Sequence, residues 1–209
     1  MAARYGKLEI LCHLTKIGAD INIRDVNRNT ALHHAAISCS VEIIKGLLHK
    51  GMFVDFSKAV DLTPLHILGV YGNLEATKAF VQRAAGLDNA NKHGFTTMPL
   101  AAWNGEIEVF RYLKEIRTDN MCDVQSNTAF HYGAFSGSVK IIKILLEKGM
   151  SVDLRSGDDS TPLHVSAKCG NLEATKSLVE RGVPFDNADR DGDTPLLLAA
   201  RHRKIRSFL

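Results

Sequence analysis

The chain has 209 residues, 45% of them apolar and 23% charged, with 16 glycines and 5 prolines. That balance excludes a disordered or collagen-like polymer, and the length is ample to bury a core. A net charge of +3 is too small to mark a nucleic-acid-binding face, and no apolar run reaches the roughly 18 residues of a membrane span.

Taken in chain order, the first residues, Met1-Ala2-Ala3-Arg4-Tyr5-Gly6, lack the basic-then-apolar layout of a secretory signal. They fit the frame of Ala35-Ala36-Ile37-Ser38-Cys39, one period later. Thr30-Ala31-Leu32-His33 opens a short apolar-small run, which places an N-cap at Thr30 and a helix after it. A second helix follows, with Val41, Ile44, Leu47 and Leu48 on one stripe and Gly51 as its left-handed stop. The same unit returns at Thr63-Pro64-Leu65-His66, with Pro64 at a first helical position that needs no N–H partner. A degraded copy starts at Thr96-Thr97-Met98-Pro99, where Pro99 replaces the histidine. Its second helix runs into Glu115-Ile116-Arg117-Thr118-Asp119-Asn120 without a glycine, so a kink or loosened turn is expected there. Regular copies resume at Thr128-Ala129-Phe130-His131 and Thr161-Pro162-Leu163-His164, and a last one begins at Thr194-Pro195-Leu196-Leu197. Val139, Ile142, Leu145 and Leu146 repeat the second-helix stripe, and Gly149 and Gly182 repeat the stop.

The six threonines are 33, 33, 32, 33 and 33 residues apart. A longer period overlies this one. Residues 25–57 match 123–155 at 20 of 33 positions, and 58–90 match 156–188 at 17 of 33, both at an offset of 98. A duplicated three-repeat cassette accounts for those identities. One helical hairpin has nothing of its own against which to bury its stripe, so stacked hairpins are the expected folding unit.

The TPLH tetrad at this period resembles the ankyrin repeat family from end to end of the chain. The resemblance implies an all-α solenoid of turn–helix–helix units stacked into a curved array. On that frame the chain divides into a partial repeat (1–24), full repeats at 25–57, 58–90, 91–122, 123–155 and 156–188, and a partial repeat at 189–209. Because polar terminal caps are missing, a window cut from a longer array is the expectation.

Little in the chain supports chemistry. Four of the nine histidines close the tetrads, where the family resemblance gives the ring a structural role against threonine and backbone. Asp189, Asp191 and Asp193 begin like a calcium loop, but Ala200 stands where its bidentate glutamate belongs. Cys12, Cys39, Cys122 and Cys169 have no zinc or CxxC spacing and read as reduced thiols of an intracellular, cytoplasmic protein. No phosphate loop, nucleophile elbow or HExxH is present. No catalysis, cofactor, metal, nucleic acid or membrane contact is expected.

What remains is surface. In the family the turn tips and the inner side of the first helix form a groove that usually binds a protein partner. The slots of that groove collect Val60, Leu62, Val70, Tyr71, His93, Phe95, Trp103, Asn104 and Phe135, with Arg4, Lys168, Arg201 and acidic tips at the flanks. An apolar centre with a polar rim is how binding hot spots are built. A protein-interaction scaffold or adaptor is therefore expected. The alternative is a cytoplasmic regulatory or mechanical array of a larger protein, such as a transient-receptor-potential-type channel. Asn22 occupies a slot that is hydroxylated in some family members, and a turn-capping role is the simpler reading.

Overall fold

Two of the tetrad threonines, Thr63 and Thr161, start their helices for the same local reason. Thr63 sits in extended conformation, its hydroxyl accepts the His66 N–H, and Pro64 follows as the first helical residue. Thr161 and Pro162 repeat the arrangement. The computed structural model describes residues 8–57, 62–117 and 122–201. The opening frame at 2–6, Val60 and the irregular turn around 118–121 lie outside the described residues.

The described residues contain twelve helices and no strand, in two compact units that divide at Ala101/Ala102. In the first unit α1 (Leu8–Lys16) precedes the hairpin of α2 (Ala31–Ile37) and α3 (Val41–His49), then that of α4 (Pro64–Tyr71) and α5 (Leu74–Gln82). First helices pack on first helices, α2 on α4, and second on second, α1 on α3 on α5. The division falls inside α6 (Thr97–Asn104). The second unit then holds α7 (Ile107–Ile116), α8 (Ala129–Ser136), α9 (Val139–Glu147), α10 (Pro162–Cys169), α11 (Leu172–Val179) and α12 (Pro195–Arg201). There α8, α10 and α12 form one layer and α7, α9 and α11 the other.

The second helices bury more than one stripe. In α3 Ile43 is buried along with Ile44, Leu47 and Leu48, whereas Val41 is only half-buried; in α9 Ile141 joins Ile142 and Leu145. The reason is geometric, since each such helix packs against its own first helix and against neighbouring second helices at once. The core of the first unit runs from Leu11 through Leu32, Ile44, Leu65 and Phe80. Phe110, Phe130, Ile142, Leu163 and Leu178 are buried in the second. Truncating a buried phenylalanine of this kind costs about 3–5 kcal/mol.

The second-helix stops behave as their glycines require, with Gly51, Gly149 and Gly182 at φ of 77°, 72° and 79°. In that slot α5 has Ala84 instead, held at φ 57°. Polar side chains also tie successive hairpins together. Asn73 donates to the Cys39 carbonyl in the first unit, and Asn171 donates to the Ala134 and Phe135 carbonyls in the second.

Candidate functional site

The tetrad histidines are committed to the scaffold. In each of His33, His66, His131 and His164, Nδ1 receives the backbone N–H of the tetrad threonine at 3.1 or 3.2 Å. A backbone donor at Nδ1 leaves the ring proton on Nε2. That nitrogen donates to the carbonyls of Leu62, Phe95, Ser160 and Asn187, at 3.0 or 3.1 Å, in the turn of the next repeat. A neutral, doubly bonded ring has no lone pair left for a metal. Burial is the main reason the pKa values of His66, His131 and His164 fall below the ordinary histidine value. Among the described residues no cluster of three or more His, Cys, Asp or Glu could hold a metal ion.

The second unit assembles an aromatic group at the mouth of α6 and α8. Trp103 lies parallel to Tyr132, with centroids 5.5 Å apart and planes at 13°. Phe135 meets Trp103 edge-on, also at 5.5 Å and at 79°. Trp103 is 39% and Phe135 46% exposed, whereas Tyr132 is 8% exposed. The hidden ring is anchored by its hydroxyl, which donates to the Asp123 carboxylate. Burial, followed by that carboxylate, raises the Tyr132 pKa and keeps the hydroxyl protonated. Asp123 is buried too, and it accepts the backbone N–H groups of Gln125 and Asn127 and the Asn127 side-chain amide. The turn after α7 is thus pinned to the ring under Trp103. Next to it Gln125, Asn127, Gly157, Asp158 and Arg190 line a polar hollow of about 310 Å³.

One cassette earlier, Asp25 and His34 occupy the positions of Asp123 and Tyr132. The same turn forms, with Asp25 accepting from Asn27, from both the backbone and the amide of Asn29, and lying 3.0 Å from His34 Nε2. The Asn29 amide is the largest influence holding the Asp25 carboxyl down at about 2.

The nine groove candidates separate by unit. In the first, Tyr71 is 53% exposed, His93 is exposed, and Leu62, Val70 and Phe95 are half-buried. The Leu62 and Phe95 backbones carry the tetrad bonds described above. In the second, Trp103 and Phe135 are in contact and Asn104 is exposed beside them. Val60 lies outside the described residues. Sequence reasoning missed Tyr132 and Asp123, whose one signal was their 98-residue correspondence to His34 and Asp25. It also missed a loop pair in the first unit, Phe53 edge-on to Phe56 at 4.8 Å with the Arg24 guanidinium 4.1 Å above Phe56. Asn22 is part of a turn, its N–H donating to Asp20 at 2.8 Å.

A family model described as ankyrin repeats, three copies, matches residues 1–87, 70–156 and 130–209. The sequence is 26% identical over 162 residues to a Caenorhabditis elegans protein, the transient receptor potential cation channel subfamily A member 1 homolog, covering 77% of this chain and 13% of the relative. It is 32% identical over 122 residues to the Arabidopsis thaliana potassium channel AKT2/3, covering 58% and 15%, and 27% identical over 159 residues to mouse Rabankyrin-5, covering 73% and 14%. The chain therefore spans about one-seventh of the length of these relatives. Among solved structures, the human ASB11 ankyrin repeat domain superposes with a TM-score of 0.83 at 26% identity, covering 96% of this chain and 90% of that one. The Bcl-3 ankyrin repeat domain gives 0.77 at 22% identity, covering 95% and 91%. At that identity the likeness speaks for fold alone.

Proposed function

We propose, from the premise that this chain belongs to the ankyrin repeat family, that it is a non-catalytic adaptor whose second unit docks a protein partner on Trp103 and Phe135. Ankyrin repeats generally mediate protein–protein interaction. The observation that supports the site is the exposure of two large aromatic rings held in place by a third, buried one. Pre-ordered rings lose little side-chain freedom on binding, which is where much of the cost of association lies. Tyr71, exposed in the corresponding stretch of the first unit, extends the reading to that unit as a separate patch with Val70. A cytoplasmic location fits this role.

The decisive comparison is affinity capture by the wild-type chain and by a Trp103→Ala/Phe135→Ala double variant, with thermal unfolding of both. Loss of specific partners by a variant that still unfolds cooperatively is the expected result. Identical captured sets, or a variant that no longer folds, would refute the site.

A second reading is favoured by the two channels among the relatives, each matched over 13–15% of its length. In it the repeats are a regulatory or mechanical element of a longer chain. Among the described residues no helix is long and apolar enough to cross a membrane, so any such activity would lie outside this array. Attaching the array to a reporter and measuring its unfolding force would test it. A soft, repeat-by-repeat response supports the reading, and single-step rupture opposes it.

A further inference from the structure

We propose, resting on the docking reading above, that the partner of the second unit is an extended peptide segment carrying a large apolar residue and an acidic residue three positions apart. The inference comes from one slot of the repeat. Seven residues after the tetrad threonine, successive first helices of this unit carry Trp103, Phe135, Lys168 and Arg201. Two aromatics are followed by two cations. Because α8 packs on α10 and α10 on α12, that slot forms a row, and the apolar end leads directly into a basic one.

The two cations are not equivalent. Arg201 is held by the Asp193 carboxylate at 2.5 Å. Lys168 is exposed and makes no ion pair among the described residues. Its charge is available for a ligand. Neighbouring packed helices lie about 8–10 Å apart, and a peptide extended in the polyproline II conformation advances about 3.1 Å per residue with three residues per turn, so side chains three apart lie on one face. A side chain docked on Trp103 and Phe135 thus places the residue three positions away over Lys168. A carboxylate is the group that satisfies it, and either chain direction gives the same spacing.

A nucleic-acid strand would also offer anions and flat rings, but its phosphates recur at every nucleotide. The turn tips beside the row present Asp158, Asp159 and Asp191, and such a strand would meet them repeatedly. A peptide presents one carboxylate where Lys168 needs it and neutral groups elsewhere.

Trp103 is the chain's single tryptophan, so its emission reports docking directly. The experiment titrates the full chain with three blocked, tryptophan-free peptides: one with Phe and Glu three apart, one with Lys replacing Glu, and one with Ala replacing Phe. The Phe/Glu peptide is expected to shift Trp103 emission with an affinity about three- to tenfold above the Phe/Lys peptide. The Ala peptide should bind more weakly than both. Lys168→Glu, a change on an exposed side chain, should reverse the order of the two charged peptides. Equal affinities that Lys168→Glu leaves untouched would overturn the acidic requirement while leaving the aromatic docking site standing. No emission change with either Phe peptide would overturn the docking site itself. Tighter binding of a single-stranded oligonucleotide than of any peptide would overturn the peptide assignment.

Discussion

Trp103 and Tyr132 lie face to face, 5.5 Å apart, yet one is exposed and the other is sealed in the interior with its hydroxyl on Asp123. The exposed ring takes its orientation from the hidden one, and the hidden one from a turn. A surface feature is thereby tied to the hydrogen bonds of a buried carboxylate.

Tyr132→Phe separates packing from anchoring. The ring keeps its stack while Asp123 loses a donor, and leaving a buried acceptor short of a partner costs about 1–3 kcal/mol. The midpoint of urea unfolding should fall accordingly. An unchanged midpoint would mean that water replaces the phenol at no cost.

Two helical glycines should respond to alanine in opposite directions. Alanine favours a helix over glycine by about 1 kcal/mol. At Gly46 in α3 a new methyl meets only the Leu8 Cδ1 at 3.2 Å, the end of a flexible side chain. At Gly69 in α4 it would stand 2.8 Å from the Thr97 carbonyl oxygen. Thermal melts should show Gly46→Ala unchanged or stabilised and Gly69→Ala destabilised, because backbone cannot yield as a leucine tip does.

Ala84 holds the left-handed conformation that the corresponding positions give to glycine, with φ 57°. The methyl group costs about 1–2 kcal/mol in that region. Ala84→Gly relieves it but adds freedom to the unfolded chain, so a net gain of about 0.5–1 kcal/mol is expected. Chemical denaturation measures it, and a loss of stability would show that the turn tolerates the alanine without strain.

Acid should weaken the fold through the tetrads. Burial lowers the pKa of His66, His131 and His164 in the folded state, while unfolding returns each to about 6.5. Below that value the unfolded chain binds more protons, so stability is full above 6.5 and falls as pH drops toward the folded values. Asp25, held at about 2, contributes in a separate window: its share persists above about 4 and disappears as pH falls toward 2. Urea midpoints between neutral pH and pH 5 should decline. Glutamine at the third helical position can still bond back to the cap, so His66→Gln should flatten that decline without unfolding the protein. A slope unaffected by His66→Gln would show that this histidine is not one of the groups responsible.

The helices and their starts were readable because they rest on local chemistry. Thr63, Pro64 and His66 fall within one turn, and each needs only its neighbours to act. The aromatic group was half readable. Trp103 and Phe135 stood in slots that face outward, but the partner of Trp103 is Tyr132, in a slot filled by Val165 one repeat on. Which aromatic slides beneath a tryptophan depends on how two hairpins meet, and periodicity carries no such information. The burial of Ile43 escaped for the same reason, since a single stripe describes a helix with one neighbour.

Every tetrad histidine ends its reach on a main-chain oxygen, at Leu62, Phe95, Ser160 or Asn187. Four different residues serve equally because the acceptor is one that any amino acid supplies. Such a joint imposes no sequence on the module that follows it, so whole modules can be copied, lost or shuffled in frame while the seam stays intact. Inheritance of a duplicated three-module block, twenty identities in thirty-three still visible between the first modules of its two copies, is what so permissive a coupling allows. A cut inside a module, by contrast, strands a ring nitrogen with no oxygen to meet.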